Sequence, residues 1–288
     1  MDIAVDKDLT GSQSVDRALK LLSLVGRQGE RGMALSEIVE QSGINKPTAR
    51  RLLLALIRSG LVDQDADGRR YFIGQEAYIL GMLASPRYGL LRMSMPSIHR
   101  IALKTCDSTF VSVRRDAVSV CLHREEGTFP IRTHALQTGY EHPLGAGAGS
   151  LAMLAALPDA EVESMMAKNA AVLEKDYPTL TPDELRRQVA LARQLGYSVN
   201  PGLVLANSWG IGVAIRNPDG TVAGALSVAA IDSRMQPPRQ KELGLLLKDE
   251  AAQIEAILAD QFGRQTRLQP ATHAKASTPK AMKRRSSP

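Results

Sequence analysis

Between Met33 and Val62 the apolar residues fall into two short helical stripes around a glycine turn, an arrangement that few small folds accommodate. Leu35, Ile38 and Val39 supply the inner side of the first stripe. Ser36 is placed to cap that helix, with Glu37 in its first turn, where a carboxylate favours the helix dipole. Gly43 ends it, because the left-handed backbone angle needed there costs glycine no steric clash. Asn45 or Lys46 opens the second helix, and Pro47 fits its first turn, where a missing N–H is harmless. Ala49, Leu52, Leu53 and Leu56 recur at helical spacing as its inner face. Lys46, Thr48, Arg50, Arg51 and Arg58 lie largely off that stripe. A short turn joining two crossed helices, the second with a basic outer face, is the geometry that enters a DNA major groove.

Arginines on an amphipathic helix are more often a solvated face than a binding surface, so the flanking sequence decides. Upstream, Ser14-Val-Asp-Arg-Ala-Leu-Lys-Leu-Leu-Ser-Leu-Val reads as a third amphipathic helix. Downstream, Gly60 to Ile73 reads as two short strands joined at Asp67-Gly68. Helix, helix-turn-helix and hairpin in that order form a winged helix. Arg69 and Arg70 then sit on the wing, within reach of flanking backbone or minor groove.

At 288 residues the chain has room for a second domain with its own core. The formal charge of +6 is a poor guide to partners, since residues 264–288 hold seven basic residues and no acid. Without that segment the chain has 29 basic and 30 acidic residues. The relevant signal is local: Lys46, Arg50, Arg51 and Arg58 occur between Ser42 and Gly60 with no acid among them. Cys106 and Cys121 are too few for a disulfide framework, and the five histidines show no zinc spacing, so neither metal nor cofactor is expected. No apolar signal segment opens the chain, and Leu144 to Leu157 is too short and glycine-rich to span a bilayer. A cytoplasmic, nucleoid-associated protein with no membrane partner is expected.

Beyond the wing, Gly74 to Leu83 reads as a linker helix closed at Ser85-Pro86. Leu90 to Thr105 reads as a helix that opens the larger domain. Thr109–Arg115 and Val118–Arg124 alternate as an antiparallel pair, with Ile131–Ala135 as a third strand. Small-residue and polar helices follow near Gly147–Leu157 and Asp159–Lys168. Thr181-Pro-Asp-Glu is a capping box opening a helix that runs to Gly196. Ile211–Ile215 and Val222–Ala229 flank an Asn217-Pro-Asp-Gly turn, and Arg239–Phe262 is a long helix. Strands interleaved with covering helices make an α+β domain. Residues 265–288 form a basic tail too poor in apolar residues to order itself.

These segments together resemble the IclR family of bacterial transcriptional regulators over roughly residues 12–263. The resemblance rests on Ser14-Val-Asp-Arg-Ala-Leu-Lys-Leu-Leu, Leu35-Ser-Glu-Ile through Arg51-Leu-Leu, and Tyr71-Phe-Ile-Gly. In the second half it rests on Pro143-Leu-Gly-Ala-Gly-Ala-Gly-Ser-Leu-Ala-Met-Leu, Leu195-Gly-Tyr and Val222-Ala-Gly-Ala-Leu-Ser-Val. It implies a winged helix-turn-helix over 12–73, a linker helix over 74–88 and a GAF-like effector and oligomerisation domain over 89–264. It further implies a homodimer or dimer of dimers. The family's effector pocket lies between the sheet and the loop that opens the small-residue helix. Here that loop is Gly145–Gly149, with Gly147 and Ala148 as backbone contacts and Asn200, Trp209, Gly210 and Ser227 on the opposing wall. Asn200, Gly210 and Ala229 stand where some members place an acidic residue, a cysteine and a serine, which makes this pocket less polar and roomier. Close helix packing is the plainer reading of the glycines, and a core position the plainer one of Trp209.

The expected function is therefore a ligand-responsive regulator, repressor or activator, of a catabolic or transport operon. Its partners are double-stranded operator DNA and a small organic acid, aromatic or otherwise partly apolar. Two alternatives belong to other classes: a winged-helix adaptor without DNA affinity, and a hydrolase using Ser150 or Cys121. No Gly-x-Ser-x-Gly or other nucleophile–base motif accompanies the second.

Overall fold

The structure is a computed structural model that describes residues 12–85, 89–133 and 136–268, with side chains to residue 262. Its first unit packs α1 (Gln13–Gly26), α2 (Leu35–Ser42) and α3 (Lys46–Arg58) around Leu21, Val25, Met33, Ile38, Ala49, Leu53 and Val62. β1 (Val62–Gln64) and β2 (Tyr71–Ile73) pair antiparallel as the wing, and a bridge from Met33 to Tyr71 ties the wing to the start of α2.

Local chemistry explains the turn between α2 and α3. Gly43 adopts φ +68°, and Ser42 Oγ accepts the Ile44 N–H at 3.1 Å. Asn45 caps α3 by accepting the Thr48 N–H at 3.0 Å. Two expectations are corrected here. α2 begins at Leu35 with Ala34 as its N-cap, and the Glu37 carboxylate, rather than Ser36, accepts the Ala34 N–H at 2.7 Å. The wing is also not a two-residue hairpin. Residues 65–70 form a longer loop in which Asp65 accepts the Arg70 N–H, and Arg69 takes φ +50°.

α4 (Gln75–Ala84) follows, with no buried residue at all. The second unit is a six-stranded antiparallel sheet in the order β5-β4-β3-β8-β7-β6. Its strands are β3 (Ser108–Arg115), β4 (Val118–Glu125), β5 (Glu141–Pro143), β6 (Ser198–Pro201), β7 (Ser208–Arg216) and β8 (Val222–Ile231). α5 (Leu90–Thr105) and α9 (Pro237–Leu268) cover one face through Ile98, Ile101, Leu243, Leu247 and Ile254. α6 (Ala148–Ala155), α7 (Asp159–Asp176) and α8 (Pro182–Leu195) cover the other through Leu151, Leu154, Met165, Leu185 and Val189.

The expected strand at Ile131–Ala135 is absent at residues 131–133, and residues 134–135 lie outside the described residues. The edge position belongs to β5, which pairs with β4 through Ser119 opposite His142. Residues 265–268 of the expected tail belong instead to α9, which continues through Leu268. Residues 86–88 of the expected linker and 269–288 of the expected tail lie outside the described residues.

Candidate functional site

Two surfaces carry chemistry. On α3, burying Ala49, Leu53 and Leu56 turns Lys46, Arg50, Arg51 and Arg58 out to solvent. Thr48 sits half-buried at the first turn, its N–H held by Asn45. Lys20 Nζ donates to Ser42 O at 2.8 Å, so α1 braces the end of α2 beneath the recognition helix. Lys46 and Arg69 border one shallow cleft with Ser36 and Glu40, so the start of α3 and the wing loop share a face.

Arg70 is held against the protein itself. Its guanidinium donates to Arg31 O at 2.8 Å, to Gly32 O at 3.2 Å and to Glu37 Oε2 at 2.8 Å. Those bonds clamp the wing's base to the helical bundle and leave Arg69 as the outward wing arginine. The Glu37 carboxyl lies below the usual glutamate range, first because it accepts the Ala34 N–H and then because Arg70 and Arg31 stand beside it.

The second surface is a cavity between the sheet and the start of α6, about 560 Å³ counting its open mouth. Gly147, Ala148, Asn200, Trp209, Gly210 and Ser227, all six residues expected on it, line it together. Sequence reasoning missed Phe110, Ser112, Ser119, His142 and Ser208, which also line it. Phe110 and Ser112 could have been found as same-side positions of an alternating strand, but nothing local marks which side faces a cavity. No lysine, arginine, aspartate or glutamate borders it among the described residues.

The loop geometry follows from its glycines. Gly147 is the N-cap of α6 at φ +87°, a conformation closed to L side chains without strain, and a Cβ there would meet open space. The first N–H groups of a helix have no carbonyl partner within it. In α6 these belong to Ala148, Gly149 and Ser150, which border the cavity. All eight residues of α6 are buried. A Cβ at Gly212 would lie 2.5 Å from Ala148 O, so small residues on both sides let the helix press onto β7. Gly210 serves the same packing while lining the cavity: a Cβ there would lie 3.0 Å from the Ala148 Cβ. Asn200 Oδ1 is engaged at home, accepting the Leu203 N–H at 3.1 Å.

The nucleophile candidates are structural. Ser150 Oγ accepts the Gly145 N–H at 2.9 Å and donates to Pro143 O at 3.1 Å. Burial pushes the Cys121 thiol up to about 12, so it holds its proton at neutral pH. Among the described residues no cluster of three or more His, Cys, Asp or Glu is placed to hold a metal. No helix among them is long and apolar enough to cross a membrane.

A winged helix joined to a helix-covered antiparallel sheet defines a class of DNA-binding transcription factors. Residues 14–66 match the IclR helix-turn-helix domain, and residues 83–256 match the C-terminal domain of the bacterial transcriptional regulator IclR. The chain belongs to the IclR family: it is a DNA-binding transcriptional regulator and not an enzyme. It is 26% identical to the HTH-type transcriptional repressor AllR of Klebsiella pneumoniae, over 86% of this chain and 90% of that one. The solved IclR transcriptional regulator of Alicyclobacillus acidocaldarius shares 26% identity at a TM-score of 0.71, covering 85% of this chain and 98% of the other. An IclR homologue from Microbacterium hydrocarbonoxydans, solved with 4-hydroxybenzoate, has the same fold at 22% identity and a TM-score of 0.69, covering 85% of this chain and 98% of its own.

Proposed function

We propose that this regulator reads operator DNA with α3 and responds to a small organic acid held at the start of α6. The observation that carries the reading is the convergence of Gly147, Ala148, Asn200, Trp209, Gly210 and Ser227 on one neutral cavity beside open helix N–H groups. Those N–H groups and the serines suit a carboxylate, while Phe110 and Trp209 suit a flat apolar body. The Microbacterium homologue holds an aromatic acid in the same fold, which makes benzoates the natural first probes.

On the DNA side, Arg50 and Arg51 approach base edges, Lys46 and Thr48 approach phosphates, and Arg69 reaches the flanking backbone. A second copy supplies the second half-site. α4 exposes Tyr78, Met82 and Leu83, each more than half accessible, and α1 exposes Val15 and Leu19. An apolar helix left so open in one chain is covered by a symmetric partner. The chain then acts in the cytoplasm at the nucleoid on a catabolic or transport operon, and repression is the mode suggested by the relative AllR, which is named a transcriptional repressor.

The test selects operators from random duplexes and follows binding by fluorescence anisotropy at several salt concentrations, with and without benzoate and 4-hydroxybenzoate. Sequence-specific, salt-dependent binding weakened by an acid supports the reading. Binding of no duplex above the random background overturns its DNA half. Operator binding indifferent to every carboxylate overturns its effector half.

A further inference from the structure

The geometry points to β5 as the strand that transmits the state of the effector loop to the DNA-binding unit, through an ion pair between Glu141 and Arg27. The inference rests on the effector reading for its purpose, but its residues stand on their own. Three consecutive residues carry it. His142 lines the cavity, and its Nδ1 lies 2.7 Å from the hydroxyl of Tyr177, the residue that caps the end of α7. Pro143 O accepts both the Ala146 N–H and the Ser150 hydroxyl, so the glycine loop and the first turn of α6 are tied directly to the strand's end. Glu141 points to the opposite side, as alternation requires. Its carboxylate meets the Arg115 guanidinium on β3 and, at 2.9 Å, Arg27 Nη2 just beyond the last turn of α1.

β5 is short and sits at the sheet's edge, with a neighbour on one side only. Six residues of loop and strand, 141 to 146, therefore separate a ligand at the Gly147 N-cap from the contact on α1. α1 in turn braces the helix-turn-helix through Lys20 and Ser42. A shift of the loop is thereby passed to the strand, and the strand decides whether Glu141 keeps Arg27. The two ends form one mechanical unit because Ser150 bonds both Gly145 and Pro143.

Hydrogen–deuterium exchange on the full chain tests the relay without any ligand, read at the amides of residues 22–27. Glu141→Gln keeps the shape and removes the charge, and should speed exchange there about two- to five-fold, the range an exposed ion pair supports. Gly147→Ala forces the loop to move, since a side chain cannot hold φ +87° without strain. It should change exchange at residues 22–27 in the parent background and cause no further change when combined with Glu141→Gln. Should Gly147→Ala unfold, His142→Ala perturbs the same loop from the strand side and is read the same way. A loop variant that leaves α1 unchanged, or one whose effect survives Glu141→Gln, overturns the relay. Failure of the effector reading shows elsewhere: benzoate and 4-hydroxybenzoate would leave the melting temperature unmoved while the exchange coupling persisted.

Discussion

Arg70 and Glu37, 33 residues apart in sequence, meet at 2.8 Å and fasten the wing to the first helix of the helix-turn-helix. Arg70 thus orients the wing, and the pair has a defined pH signature. Glu37 is held below its ordinary value of 4.5, so it adds stability above that value and loses it as pH falls through its lowered folded-state value. The melting temperature of the winged helix should fall on acidification below pH 4.5, and Glu37→Gln should flatten that part of the profile. Thermal melts by circular dichroism across this range decide it; an unchanged profile in Glu37→Gln rules the pair out as the source.

The exposed arginines divide by role. Arg51→Ala should cost roughly 1–3 kcal/mol of operator binding and relax preference at one base position. Arg69→Ala should weaken operator and random duplex alike and reduce the salt slope by about one. Anisotropy titrations at three salt concentrations separate the two patterns, and unchanged affinity in both variants would place the DNA surface elsewhere.

Gly147→Val should abolish any response of operator binding to carboxylates, while the winged helix, cored on its own residues, stays folded. The reason is backbone rather than bulk: φ +87° at the α6 N-cap is closed to valine, and the loop must abandon the geometry that aims its N–H groups. A thermal-shift panel of aromatic and aliphatic acids against both proteins checks this. Stabilisation by glyoxylate-sized acids alone would refute the aromatic preference.

Asp107 should be the most sensitive charged position of the effector unit. Only 2% of its side chain is exposed, and it receives Arg234 at 2.8 Å and Arg239 at 2.8 Å, with Arg234 also stacked 3.9 Å above Phe129. Asp107→Ala strands two guanidinium groups and should destabilise the unit by about 3–5 kcal/mol. The shift of the urea midpoint measures it, and a loss under about 1 kcal/mol would mean that solvent replaces the carboxylate there.

Elements set by nearest neighbours are legible in the chain's own residues. The Gly43 turn, the Asn45 cap with Pro47 behind it, the Thr181 cap of α8 and the Asn217–Gly220 turn appear where local chemistry puts them. Legibility ends where partners come from afar. β5 and β6 are three and four residues long, too short for alternation to show, and exist because a longer strand lies beside each. Ser36 lost the capping role to Glu37 and Ala34 because helix register, not residue type, selects the cap.

The sequence by itself determined the two-part plan, the turn of the helix-turn-helix, the basic outer face of α3 and the glycine loop that opens α6. Each follows from backbone preference and the 3.6-residue period, which act within a few positions. Only the tertiary structure decided which arginine of the Arg69-Arg70 pair faces outward, because the clamp on Arg70 is built from Arg31, Gly32 and Glu37. It alone brought the strands of the cavity wall together, since β3 lies beside β8 more than a hundred positions away and β4 beside β5 across a long loop. And it alone set Glu141 against Arg27, because a contact between two separately cored units has no periodicity for a sequence to display.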